Sequence, residues 1–308
     1  MTWRPVLAVL VVAPVLGEML STATPPLDLL LPWNFALFTA LYGSGALLCR
    51  EAAHRWGSGL TGLLLLGAAY GIYEEALVDR FWFDPAYASD TGVGDYARAG
   101  ETSLLLATHL TAFHAAVSVG ATVLIVEWLF PGDRDRAWVR PWALIVPAVA
   151  MLGALFVTYE EFVRPPVGPT LAAIGIAVLL VAAAWLHGRR PSRVTRAPAR
   201  RPRPRVLGVV AFVCTGSHFV LVYAVPSTGL AWPAGLALTL LPLVTGVLIV
   251  RRLATTGARG RDGLWVVTGI LGFFLTLDVL VGLGGRYDLS VGALLVTAGL
   301  IWLHRRAR

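Results

Sequence analysis

A chain of 308 residues that is 57% hydrophobic and 14% charged, with a mean hydropathy of +0.72, lies far from the roughly 25% charged residues of soluble domains. A water-soluble globular fold is excluded. Its net charge of +7 rests on 25 arginines with no lysine, which excludes a retinal or pyridoxal Schiff base and a phosphate-loop ATPase.

Ten apolar runs, at 5–20, 33–49, 58–79, 103–130, 142–160, 167–187, 206–226, 229–250, 263–283 and 288–303, can each cross a hydrocarbon core about 30 Å thick. The first has the short basic start of a signal peptide. Glu18 stands where cleavage would fall, so it is read as an uncleaved helix. In the third run Gly67 and Gly71 form a close-packing pair, and Glu74 lies on their face of an α-helical wheel, so Glu74 is expected inside the bundle. Glu75, about 100° further round, is expected nearer the lipid or the outer mouth.

The segment from Arg80 to Glu101 combines aromatics with acids and reads as an interfacial lid. In the fourth run Thr111, His114, Ser118 and Thr122 make one polar stripe, and His109 lies about 140° away from His114. Tyr73-Glu74-Glu75 is echoed by Tyr159-Glu160-Glu161, a match too short to establish a repeat. Glu160 and Arg164 are spaced for a surface ion pair. Residues 188–205, rich in arginine and proline, cannot bury apolar area and read as a solvated linker on anionic headgroups. They divide the chain into 1–187 with six runs and 206–308 with four.

The arginines orient the bundle. With the amino terminus inside, 21 arginines are cytoplasmic and only Arg80, Arg98, Arg164 and Arg286 face outward, as the positive-inside rule requires. The expected fold is therefore all-α, a polytopic transmembrane bundle of about ten spans with both termini cytoplasmic. The arginine-rich, amide-poor vocabulary suggests a bacterial inner membrane. The charge is a topology signal, so no nucleic-acid partner follows from it. Neither a cofactor nor a metal set is expected, and Cys49 and Cys214 lie at different depths.

Function is sought where ionisable groups lie inside apolar runs, because each is costly there and needs a partner. Glu18, Glu74, His109, His114, His218 and Asp278 fall in the outer half and make a candidate proton- or substrate-binding set, expected to line a cavity that opens away from the cytoplasm. Asp278 has no charged neighbour on its own helix, so His218, His114, Arg164 or Arg286 is expected to pair with it. Glu127 with Arg50, Glu51 and His54 reads as an inner network that fixes packing.

The stretches Gly17–Pro26, Leu41–Glu51, Ala69–Glu75 and Leu110–His114 resemble a group of prokaryotic multi-pass membrane proteins without assigned activity. A second similarity is to the CAAX-type intramembrane proteases. It rests on Glu74, Glu75, Arg80, His114 and His218 and would make Glu74, Glu75, His114 and His218 catalytic. Arg80 stands one residue too far along for that pattern, Leu110 replaces a Phe, and Val222 replaces an Asn or Asp. Ten spans also resemble the drug/metabolite transporters, but those are five-plus-five repeats and here the linker follows the sixth run. Three functions are compatible with these residues: a proton-linked transporter of a small cationic or polar solute, a hydrolase acting on a membrane-embedded substrate through a Glu/His-activated water, and a non-catalytic assembly or regulatory protein.

Overall fold

A computed structural model of the chain describes residues 2–20, 23–190 and 204–307. Most of the 188–205 linker lies outside the described residues. The helices are α1 (Trp3–Pro14, continuing as a π-helical turn Val15–Met19), α2 (Pro26–Leu29) and α3 (residues 32–56, with a π turn at Thr39–Gly43). Then come α4 (Gly59–Val78), α5 (Pro85–Asp90), α6 (Leu104–Leu129), α7 (Pro141–Val157) and α8 (Val167–Gly188). Last are α9 (Pro204–Thr228), α10 (Trp232–Leu253), α11 (Arg261–Leu283) and α12 (Tyr287–Arg306). A two-residue hairpin, β1 (Arg98–Ala99) with β2 (Thr102–Ser103), leads into α6.

Each of the ten predicted runs is helical, but among the described residues seven helices are long and apolar enough to cross a membrane. The other three fall short for physical reasons. The α1 segment ends in a π turn after a 12-residue α-helix, and α7 is a shorter apolar helix. The α3 helix carries Arg50, Glu51, His54 and Arg55 in its last two turns.

Prolines and glycines set the helix boundaries. Pro26 and Pro32 start α2 and α3, where the missing N–H costs nothing. Gly57 ends α3 at φ +67°, its N–H returning to the last turn, a left-handed cap that glycine adopts without penalty. The short turn that follows lays α4 antiparallel to α3.

Two ends of the bundle can be distinguished. The first carries residues 23–31, 79–103, 158–166 and 229–231; there the Arg80 Nη1 donates to the carbonyls of Tyr159 and Val163, each at 2.9 Å, and the Tyr96 hydroxyl donates to Leu230 at 3.0 Å. Arg80 is wholly buried at φ +58°, a conformation that costs a non-glycine residue free energy. Its carbonyl contacts and the Tyr159 ring 4.4 Å away hold it there.

The predicted lid is packed into the bundle. Trp82 and Phe83 are buried against Ile72, Ala76, Ala107 and Ala173. Asp90, Asp95 and Glu101 are exposed.

The opposite end carries the Glu127 network. Arg50 lies 2.7 Å from Glu51 and 3.4 Å from Glu127, with the Trp138 ring 4.0 Å away. The Trp138 N–H donates to Glu51 at 2.8 Å, and Arg259 pairs with both Glu127 oxygens at 2.6 and 3.0 Å. This ties α3, α6 and residues 131–140 to the turn between α10 and α11, joining the chain's two halves. The inner network inferred from the sequence is present for Arg50, Glu51 and Glu127, with Arg259 as a further member; among the described residues no ion pair or side-chain hydrogen bond brings in His54.

Candidate functional site

Four π-helical turns supply the polar side chains of one buried cluster. Val15–Met19 brings Glu18, Thr39–Gly43 brings Tyr42, Tyr73–Val78 brings Glu74 and Glu75, and His114–Ala121 brings His114 and Ser118. A π turn inserts one residue into the helical ladder and is found disproportionately at functional sites.

Glycines let the four helices meet. A Cβ at Gly17 would lie 2.4 Å from the Tyr42 ring, one at Gly45 would lie 2.2 Å from the Tyr70 ring, and one at Gly71 would lie 2.8 Å from the His114 Cβ. No side chain fits at those distances. The expected close approach through Gly67 and Gly71 is therefore found, against α6.

His114 is the hub. Its Nε2 lies 2.7 Å from Glu75 Oε1, and its Nδ1 lies 3.0 Å from both Glu74 Oε2 and Ser118 Oγ. Tyr42 stacks on the imidazole with centroids 6.0 Å apart, and Tyr70 meets it edge-on at 5.9 Å. The Tyr42 hydroxyl donates to Glu18 Oε1 at 2.6 Å, and the Thr24 hydroxyl donates to Glu18 Oε2 at 2.6 Å. Glu74 is 0%, His114 2%, Glu75 4% and Glu18 7% exposed, so the cluster is occluded rather than open to one face. His114 thus shares a hydrogen bond with Glu75 at Nε2 and with Ser118 at Nδ1, while Glu74 lies against Nδ1 at ion-pair distance. Neither Glu74 oxygen makes a hydrogen bond to the protein, and nor does Glu75 Oε2, leaving acceptor capacity beside the ring.

The position of Glu75 corrects the α-helical wheel. It points into the bundle beside Glu74 because the chain turns through a smaller angle per residue in the π turn, bringing adjacent side chains onto one face. Arg80 does not pair with either glutamate; its Nη1 donates to backbone carbonyls and its Nη2 has no hydrogen-bond partner. The Tyr159-Glu160-Glu161 echo has no structural counterpart, since Glu160 and Glu161 are exposed, and among the described residues Glu160 and Arg164 form no ion pair.

The second histidine pair is separate. His218 Nδ1 donates to the Thr239 carbonyl at 2.7 Å, which leaves Nε2 to accept from His109 Nδ1 at 3.0 Å. His109 faces α9 while His114 faces α4, as their angular separation on α6 requires. His218 is thus not brought to the glutamates. Asp278 corrects a further expectation: it is wholly buried, yet neither oxygen has a hydrogen-bond partner, and none of His218, His114, Arg164 or Arg286 reaches it. It lies one turn beyond Phe274, whose apolar contacts with Phe113 and Phe219 occupy that stretch of the interface.

Tyr42, Tyr70 and Thr24 were not among the predicted site residues. The available signal was a tyrosine within an apolar run beside Gly43 and Gly45, because a buried phenol needs both a partner and room. Among the described residues no group of three or more His, Cys, Asp or Glu is arranged to hold a metal ion.

These features define a multi-pass helical membrane protein with a buried histidine–carboxylate centre. The chain belongs to a family described as an uncharacterized membrane protein family, whose profile matches residues 7–283. No curated protein and no solved structure matches the chain. Nothing in these findings supports the similarity to CAAX-type proteases. Two of its five residues, Arg80 and His218, are engaged away from the glutamates.

Proposed function

We propose that this protein is a proton-linked transporter of a small cationic or polar solute, crossing a bacterial inner membrane ten times with both termini in the cytoplasm. The observation that carries the reading is His114 held between Glu74 and Glu75. Two carboxylates beside one imidazole inside a bundle are costly to ionise, and a charge there is relieved by one proton or by one cation, so the two compete for the same centre. That competition is the basis of coupling. Asp278, buried and unpaired, is a second group that a proton or a cationic solute would satisfy, because an unmade buried hydrogen bond costs about 1–3 kcal/mol. The topology rests on the distribution of 21 arginines against four.

The hydrolase reading needs a water held by His114 and His218. His218 is committed to His109 and Thr239, and both nitrogens of His114 are engaged, so the transporter is the better supported reading.

The test is full-length protein in liposomes with a trapped pH dye, exposed to a panel of monovalent metal ions and small organic cations. One class of solute is expected to drive proton movement that Glu75→Gln and Asp278→Asn each reduce to the level of empty liposomes, with both variants folded. Absence of any solute-driven proton movement, or its survival in both variants, contradicts the proposal.

A further inference from the structure

The end of the bundle opposite the His114 centre carries two neighbouring cavities of about 300 Å³ each. The first is lined by Arg205, Arg261, His304 and Arg305, with Trp265 as a wall. The second is lined by Arg134, Arg259, Arg261 and Arg306, with Trp128 as a wall. Arg261, Leu264 and Ala307 belong to both, and no Asp or Glu lines either one.

The charges there are not all spent locally. Arg259 pairs with Glu127 and Asp135, and Arg134 lies 3.4 Å from Asp135. Among the described residues Arg205, Arg261, Arg305 and Arg306 enter no ion pair. The nearest acid in sequence, Asp262, is buried and turned away, accepting from the backbone N–H groups of Thr255 and Thr256 at 2.6 and 3.0 Å. Trp265 packs on His304 with ring centroids 4.4 Å apart, and the Arg205 guanidinium lies 5.8 Å from the Trp265 ring.

We propose that these paired cavities form a binding site for a ligand bearing two phosphate groups, one in each cavity, with Arg261 between them. Guanidinium forks match phosphate oxygens in geometry as well as charge, and two cavities sharing one arginine select two linked phosphates over one. A lipid is the source that fits the surroundings. Ile301 and Trp302 are exposed along α12 beside the first cavity, offering apolar surface to acyl chains, and tryptophans at helix ends mark headgroup level. Basic pockets between transmembrane helices recognise such headgroups.

Native mass spectrometry of the full-length protein in detergent tests this, with cardiolipin (two phosphates), phosphatidylglycerol (one) and inorganic pyrophosphate as probes. Cardiolipin is expected to bind at least about tenfold more tightly than phosphatidylglycerol, a difference of about 1.4 kcal/mol. Arg261→Gln should remove that preference, while Arg251→Gln with Arg252→Gln, exposed at the same end but outside both cavities, should keep it. If the Arg261 variant does not fold, Arg305→Gln with Arg306→Gln near the end of α12 makes the same comparison. Pyrophosphate binding that Arg261→Gln abolishes, without a lipid preference, keeps the two-phosphate chemistry and assigns a soluble source. Equal affinity for the two lipids with no pyrophosphate binding, or equal loss in the Arg251/Arg252 control, overturns the proposal.

Discussion

Replacing His114 with alanine is expected to lower the stability of the protein by about 3–5 kcal/mol, because it strips two buried carboxylates of their shared partner at once. The loss is electrostatic more than steric, and that distinction is testable. In a background where Glu74 and Glu75 are both glutamine, the same His114→Ala change should cost about 2 kcal/mol less, the size of coupling measured between residues of one network. Chemical unfolding in detergent, read for the variants as a cycle, measures the difference. An additive result would mean that His114 stabilises the bundle by filling space against Tyr42 and Tyr70 and that the triad is a bystander.

A comparable penalty is expected at the other end of the bundle from Arg50→Met. Methionine preserves the stem that packs near Trp138 but leaves Glu51 and Glu127 with one cation fewer in a site where Arg50 is 2% and Glu51 0% exposed. Breaking a buried ion network by removing one member costs about 3–5 kcal/mol. Unlike His114→Ala, this change also cuts the hydrogen bond from Arg50 to the Arg134 carbonyl at 2.8 Å, so residues 131–140 should loosen first. Hydrogen exchange of that segment in the full-length variant checks it. Unchanged protection at 131–140 with an unchanged unfolding midpoint would show that Arg259 alone satisfies Glu127.

The helical segments were legible because the apolar runs are long and end in arginine, proline or glycine. What failed was local geometry. Reading Gly67, Gly71 and Glu74 on an α-helical wheel gives the correct face, since those residues precede or enter the π turn at its start. The same wheel sends Glu75 outward, because it assumes an α-helical turn where Tyr73–Val78 is π-helical, and no residue type announces that turn. His218 was grouped with His114 by depth alone, whereas the angular separation on α6 already set His109 apart. Depth does not fix rotation about a helix axis, and the structure divides them by face.

Tyr42 escaped notice for a different reason. Its role depends on Glu18, which is 24 positions away, and on Gly17 making room. Asp278 shows the converse. The rule that a buried charge has a partner predicted a neighbour, and the interface at that level is filled by Phe113, Phe219 and Phe274 instead.

The claim on which the functional reading stands is that Glu75 bonds one nitrogen of the His114 imidazole while Glu74 lies against the other. Nitrogen-15 magnetic resonance of the full-length protein in lipid reports this directly, with the His114 signals assigned by their loss in His114→Asn. Glu74→Gln is expected to shift chiefly Nδ1, Glu75→Gln chiefly Nε2, and Glu160→Gln neither. Ring nitrogens that respond to none of these changes would contradict it.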